Sequence, residues 1–426
     1  MPHTLTISQL TEKLAEGELT SRDATQACLD RIAAVDGQLN AFLSHDPEDA
    51  LAQADAADAA RDSGVSGKTK PLLGVPIAMK DVIAVNGHPL NCASKILGEF
   101  NSPYDATVTQ KLRESGAVIF GRVNMDEFAM GSSTENSSFG PVCNPWNTEC
   151  IPGGSSGGSA ASVAARVVPI AHGGDGGGSL RMPGSCCGIV GFKPSRMRTP
   201  HGPDISSIWE SCCGEFVMSR SVRDSAYMLD AVAGQDVGAY YSAPPQERPF
   251  REEVESDPAP LKIAYSTGGP ANYDTHPDCV AAVENAAKLC ADLGHHVEQA
   301  CPQLPDALTE ALGEAFLGAL AIETARDADE LSELVGRPAT ADDFEPANWS
   351  YIEYGRTFSG RDAVRFKRVL HDVARTVGPF FEDYDIYLSP TLGKPPVSIG
   401  EIDPKIPDWN EYFGIMFDFM PFTSLF

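Results

Sequence analysis

The sequence predicts an α/β layered fold built on a largely parallel sheet, because a helix-to-strand pattern occurs twice. In the first copy Asp105 is placed to cap a helix running to Glu114, Gly116 stops it, and 117–120 is a compact apolar strand. In the second, 262–266 reads as a strand, 278–293 as a helix stopped by Gly294, and 296–299 as the next strand. Strands alternating with helices pack as layers, and parallel neighbours need such crossovers.

The remaining elements follow along the chain. Residues 6–62 read as helical: Ser21 is the expected cap of a segment in which Ala24, Ala27, Cys28, Leu29 and Ile32 recur at helical spacing. The Ala- and Asp-rich run 49–62 continues as a surface helix, and 64–70 is a polar linker. Residues 72–79 form a short apolar strand ending at Lys80. The Pro-, Glu- and Gly-rich stretch 235–260 reads as a surface crossing. Residues 302–349 are helical and acidic, and are expected to cap an active site. A helix at 361–377 and a strand at 385–388 complete the pattern, with no internal repeat.

Composition narrows the class. Hydrophobic residues make up 42% and charged residues 21%, ordinary globular usage for a chain long enough to bury a core without disulfides. A formal charge of −27 repels phosphate backbones and anionic lipid, so no direct nucleic-acid or membrane partner is expected. Eleven cysteines, with adjacent pairs at Cys186-Cys187 and Cys212-Cys213, show no zinc spacing and read as reduced thiols. No signal peptide or membrane-length apolar run is visible, and the expectation is a cytoplasmic protein.

The chemistry concentrates in two glycine-dense segments, PGGSSGGS at 152–159 and HGGDGGGSLR at 172–181. Glycine at this density marks unusual backbone angles or close approach to a ligand. Neither segment fits a phosphate loop or a dinucleotide fingerprint. A flexible linker would not lie between the apolar stretches 160–168 and 186–192. A nucleophile with an oxyanion hole fits: Gly176, Gly177 and Gly178 precede Ser179 and can turn several N–H groups, with that of Ser179, toward one oxygen. Taken alone, Lys80 reads as a surface ion pair with Asp81.

GVPIAMKD, PGGSSGGSA and GGDGGGSLRMPGSCCGIVGFKPS, in this order, resemble the amidase signature family over nearly the whole chain. The resemblance implies one amidase domain over 1–426, with an N-terminal helical region (1–70), a catalytic core (71–235) and a remaining α/β part (236–426). It implies the family's layered fold, a large, mixed, mostly parallel central sheet covered by helices on both faces. It places a Ser-Ser-Lys triad on Ser179, Ser155 and Lys80, with a cis bond between Gly154 and Ser155 and no metal or organic cofactor. Ser179 would attack the carbonyl, Ser155 relay its proton and a desolvated, neutral Lys80 accept it. Asp175 and Arg181 are expected to pair behind the oxyanion loop, with Ser156, Ser185 and Ser195 as hydrogen-bonding neighbours. Met130, Gly131, Ser132 and Ser133 look like the family's substrate-facing loop, with Ser132 the expected substrate contact. Trp209 either packs in the core or stacks on substrate, and His172 reads as a satisfied structural histidine.

RVNMDEFAMGSSTENSSFGPVCNPWN resembles the A subunit of tRNA-dependent glutamine amidotransferases. GFKPSRMRTPHGPD, SRSVRDSAYMLDAVAG and FFEDYDIYLSPTLGKPP look more like stand-alone amidases such as the 6-aminohexanoate cyclic dimer hydrolase group. The expected activity is hydrolysis of carboxamides, including linear or cyclic amide oligomers, or of carbamates or small esters. The alternative is a transamidase subunit releasing ammonia from glutamine, or a non-catalytic scaffold in such a complex, with partner subunits. A small-molecule amide is the expected partner, and a homodimer would be ordinary. The chain stops at Phe426, where the resemblance leads one to expect a further strand, so a truncated C-terminal end is expected.

Overall fold

A computed structural model describes residues 1–425; the expected truncation at Phe426 lies outside the described residues. The chain divides into two compact units, Met1–Ser256 with Pro396–Pro404, and Asp257–Pro395 with the residues from Lys405 onward.

The first unit holds eight strands: β1 (Phe42–His45), β2 (Pro76–Lys80), β3 (Val118–Val123), β4 (Glu135–Asn136), β5 (Gly140–Pro141), β6 (Ile170–Asp175), β7 (Val190–Gly191) and β8 (Gly214–Ser219). Six form one sheet in the order β1-β3-β2-β6-β8-β7, while β4 and β5 make a separate hairpin. β2 runs parallel to both β3 and β6, whereas β1, β8 and β7 are antiparallel to their neighbours. The parallel pairing read from the sequence therefore holds at the centre of the sheet. The edges run the other way, so the sheet as a whole is mixed.

The central strands are rich in Val, Ile and Phe and are buried at every position of β2, β3 and β8, as strands covered on both faces must be. Helix Gly157–Ala164 packs on β2, β3, β6 and β8, Pro47–Asp62 on β3, and Val222–Val232 on β8. The stretch 6–62 is not wholly helical, since β1 interrupts it, and two helix caps also differ from the sequence reading. The second helix is capped by Thr20 in a reciprocal box with Asp23, while the backbone N–H of Ser21 donates to Asp58 instead. Asp105 caps nothing; it accepts from the Asn86 N–H and pairs with Arg113, and the helix starts at Thr107.

The second unit is built on three parallel strands, β9 (Lys262–Tyr265), β10 (His296–Gln299) and β11 (Ile386–Leu388), in the order β10-β9-β11. Its helix Pro277–Asp292 ends beside Gly294, whose φ of 95° no branched residue adopts cheaply. The 302–349 stretch resolves into Asp306–Val335 and the start of Pro346–Gly355. The first of these packs on both Pro346–Gly355 and Gly360–Val377. Phe366 is the buried anchor of that group, 1% exposed and edge-on to Phe358 at 5.1 Å. Phe366→Ala should cost about 3–5 kcal/mol, read as a lower urea midpoint with an unchanged denaturant slope.

Candidate active site

The site is assembled at the end of β2. Desolvation runs down this apolar strand, so its last residue, Lys80, is only 1% exposed. Its Nζ donates to Ser155 Oγ at 2.7 Å and Ser156 Oγ at 3.0 Å. Burial pushes the Lys80 ammonium down to about 8, against the opposing pull of Glu215, Asp126 and Asp175. The surface pair with Asp81 is thus corrected: Asp81 is buried too, but its partner is the guanidinium of Arg122, with Nε 3.4 Å away.

Ser155 follows a cis Gly154–Ser155 bond, and both Ser155 and Ser156 are fully buried. Gly154 is required by close approach: a Cβ there would lie 2.1 Å from Asp126 Oδ2 and 2.7 Å from the Ser132 carbonyl carbon. That contact seats the 130–133 loop against the serine loop. Asp126 accepts from Thr134 N at 2.9 Å, and the single Thr134 hydroxyl proton is shared between Asp126 Oδ2 at 3.2 Å and the Gly153 carbonyl at 3.0 Å. Burial raises the Asp126 carboxyl to about 6 despite these donors and nearby Lys80. Asp126 and Thr134 were not singled out in the sequence. The available signal was an acidic residue inside NMDEFAMGSS, a stretch otherwise suited to burial.

Met130 is buried, and Gly131 backs directly onto Asp126, where a Cβ would stand 2.2 Å from Oδ1. The Ser132 hydroxyl is fully buried and makes no hydrogen bond among the described residues.

The glycine loop that leads into Ser179 is tied at its base. Arg181 grips Asp175 bidentately, Nε to Oδ2 at 2.9 Å and Nη2 to Oδ1 at 2.8 Å, and Asp175 also accepts the backbone N–H groups of Leu180 and Arg181. Burial would raise this carboxyl, but the Arg181 guanidinium and the backbone donors hold it below the usual carboxylate range. Between these anchors Gly178 takes φ 139°, and Ser179 follows at 6% exposure. Neither the Gly178 nor the Ser179 N–H meets an acceptor among the described residues. The Ser179 hydroxyl makes no hydrogen bond there either, so Lys80 and Ser155 are joined while the link from Ser155 to Ser179 is not made. Such contacts commonly tighten only around bound substrate.

Trp209 packs on this loop: a Cβ on Gly176 would stand 2.4 Å from Trp209 Cε3, and 2.7 Å from Cys213 Sγ. Trp209, Glu210 and Ser211 all have left-handed backbone, with φ of 49°, 51° and 63°, a strain that surrounding contacts must hold. Ser185 and Ser195 are exposed and are not among the serines gathered around Lys80. His172 is fully buried, but neither ring nitrogen makes a hydrogen bond among the described residues, so the reading as a satisfied histidine is corrected. Its Nε2 lies 3.2 Å from Glu215 Oε2, a close approach between the two side chains. Among the described residues no cluster of three or more His, Cys, Asp or Glu side chains is suited to a metal, no disulfide forms, and no helix is long and apolar enough to cross a membrane.

A mixed sheet carrying a buried lysine, a cis-bonded serine and a glycine-bound second serine defines a class, and the comparisons agree on it. The chain belongs to the amidase family, whose model matches residues 23–425. It is 44% identical over 298 residues to the glutamyl-tRNA(Gln) amidotransferase A subunit of Chromohalobacter salexigens, covering 69% of this chain and 60% of that protein. It is 50% identical over 232 residues to the corresponding protein of Thermobifida fusca, covering 54% and 46%. The chain thus spans about three-fifths or less of the length of these curated relatives. Among solved structures, 6-aminohexanoate cyclic dimer hydrolase bound to substrate superposes with a TM-score of 0.91 at 29% identity, covering 100% of this chain and 88% of that one. A bacterial aryl acylamidase gives 0.86 at 25% identity, covering 97% and 87%.

Arg181→Ala would leave the buried Asp175 carboxylate without its cation. A loss of about 3 kcal/mol in chemical denaturation at pH 7 is expected. Arg181→Lys should restore only part of it, since an ammonium cannot bind both oxygens as a fork.

Proposed function

We propose that this chain is a serine amidase that cleaves the C–N bond of a carboxamide through an acyl-enzyme on Ser179. The observation that carries the reading is the buried Lys80 Nζ at 2.7 Å from Ser155 Oγ. In the first half-reaction Ser179 Oγ bonds to the carbonyl carbon and passes its proton to Ser155, whose own proton moves to neutral Lys80. The N–H groups of Gly176, Gly177, Gly178 and Ser179 are the proposed donors to the oxyanion. Collapse breaks the C–N bond, and the proton on Lys80 returns through Ser155 to the departing amine. Water then attacks the ester carbonyl by the same relay and frees Ser179. Met130, Gly131, Ser132 and Trp209 are the proposed substrate contacts, with Ser156 and the Asp175–Arg181 pair holding the frame.

Similarity along the whole chain to 6-aminohexanoate cyclic dimer hydrolase supports a stand-alone hydrolase acting on linear or cyclic amides. A second reading, a glutamine-hydrolysing amidotransferase component that works with partner chains, is favoured by the 44% identity to such proteins. Ammonia or amine release from simple aliphatic and aryl amides, a 6-aminohexanoate oligomer and glutamine separates the two. Glutamine as the only substrate would move the assignment to the second reading.

Because only neutral Lys80 accepts a proton, kcat/KM for a turned-over amide should rise with pH through about 8 and then level off. Ser179→Ala should lose about 10⁴-fold or more in kcat with an unchanged circular dichroism spectrum. Retained turnover in that variant would overturn the assignment of the nucleophile.

A further inference from the structure

Glu215 has no part in the mechanism above, yet it is a carboxylate buried to 7% exposure inside the central sheet. An unpaired charge in that position is costly, and an apolar residue on β8 would fill the space more cheaply. Its placement is specific. β6 and β8 are antiparallel with Gly174 opposite Glu215 and His172 opposite Val217, so His172, Gly174 and Glu215 share one face of the sheet. Gly173, by alternation, faces the other way, and a Cβ there would stand 2.9 Å from Ser156 Oγ.

Only bare glycine backbone therefore separates the two faces. On one, Lys80 donates to Ser156 Oγ at 3.0 Å, and Ser156 Oγ donates to the Gly174 carbonyl at 3.3 Å. On the other, both Glu215 carboxylate oxygens lie 3.0 Å from the position a Gly174 Cβ would take. His172 Nε2 sits 3.2 Å from Oε2.

We propose that Glu215, acting from the reverse face of the sheet through the Gly173–Gly174 backbone, is a positioning residue that sets the pH at which Lys80 becomes a competent base. The inference rests on the reading of Lys80 as that base. Its physical content is Coulombic: a carboxylate behind the side-chain-free Gly173–Gly174 step of β6 favours the protonated lysine. The charged and titratable groups facing Lys80 are Glu215 on β8, Asp126 after β3, Asp175 at the end of β6 and Cys213 before β8. Those facing Glu215 are His172 on β6, His201 and Lys80 itself. Burial alone would raise the Glu215 carboxyl, but the two histidines and Lys80 hold it below its ordinary value.

The test is the titration of Lys80 in the full chain with lysine carbons isotopically labelled, its resonance assigned by its loss in Lys80→Met, in the parent and in Glu215→Gln. The Lys80 midpoint should fall by about half a pH unit or more in Glu215→Gln. The acid limb of kcat/KM on any amide the parent turns over should move with it, so activity at pH 6.5 relative to the plateau rises about threefold. Gly174→Ala, whose new methyl would press the carboxylate away, should shift the midpoint in the same direction by less; it decides the matter should Glu215→Gln not fold. An unmoved or raised midpoint in a folded variant overturns the proposal, because a purely structural Glu215 would change stability without moving that titration. Absence of amide turnover in the parent would sink the functional assignment instead, while the titration would still read the coupling.

Discussion

The structure turns on the burial of one amine. An ammonium at the end of β2 would normally reach for water. Here it is enclosed by the sheet and two serine loops, and its hydrogen bonds go to Ser155 and Ser156. Desolvation brings the titration of the amine down to about 8, and the same enclosure shapes the loops around it. The loops must come close enough to exclude water, so the contacting positions cannot carry side chains. Gly154 has no room for a Cβ against Asp126 and the 132–133 backbone, and Gly176 none against Trp209. The glycine density of both segments follows from enclosure of the lysine.

Enclosure has an electrostatic counterpart. Three acidic residues, Asp126, Asp175 and Glu215, surround Lys80, each held differently. Asp175 is gripped by a bidentate arginine and fixes the glycine loop before Ser179. Asp126 is engaged by Thr134 and joins the 130–133 loop to the serine loop. Glu215 faces His172 and adds its pull on the lysine to those of Asp126 and Asp175. An amine whose titration is set by burial but trimmed by carboxylates can be adjusted by changes at a distance from it.

What the sequence revealed was the part written in consecutive residues. Lys80, the two serines and the Asp175–Arg181 pair stand in motifs whose spacing limits their roles, and the structure brings Lys80, Ser155 and Ser156 into contact. Strands with apolar, branched runs such as 118–123 and 262–265 were legible within a few residues. β6 was not, because IAHGGD has neither alternation nor β-branched bulk; it is a strand only because β2 and β8 pair with it. β1 was absorbed into a helical reading, since four residues after a long helix carry little periodicity of their own. Glu215, Asp126 and Thr134 were invisible for another reason: their meaning lies in what they face across the fold, and no local pattern encodes that. The same holds for His172, whose histidine identity suggested a structural role but whose neighbour on β8 could not be foreseen.

The central claim is that Ser179 is the nucleophile and that Lys80 activates it. The most direct measurement is covalent labelling of the whole chain with a small alkyl fluorophosphonate across pH 6 to 10, with the modified residue located by peptide mass spectrometry. A single adduct on Ser179 is predicted, formed at a rate that climbs through about pH 8 and vanishes in Lys80→Met. An adduct on Ser155 or Ser156, or Ser179 labelling that ignores both pH and the lysine, would contradict the claim.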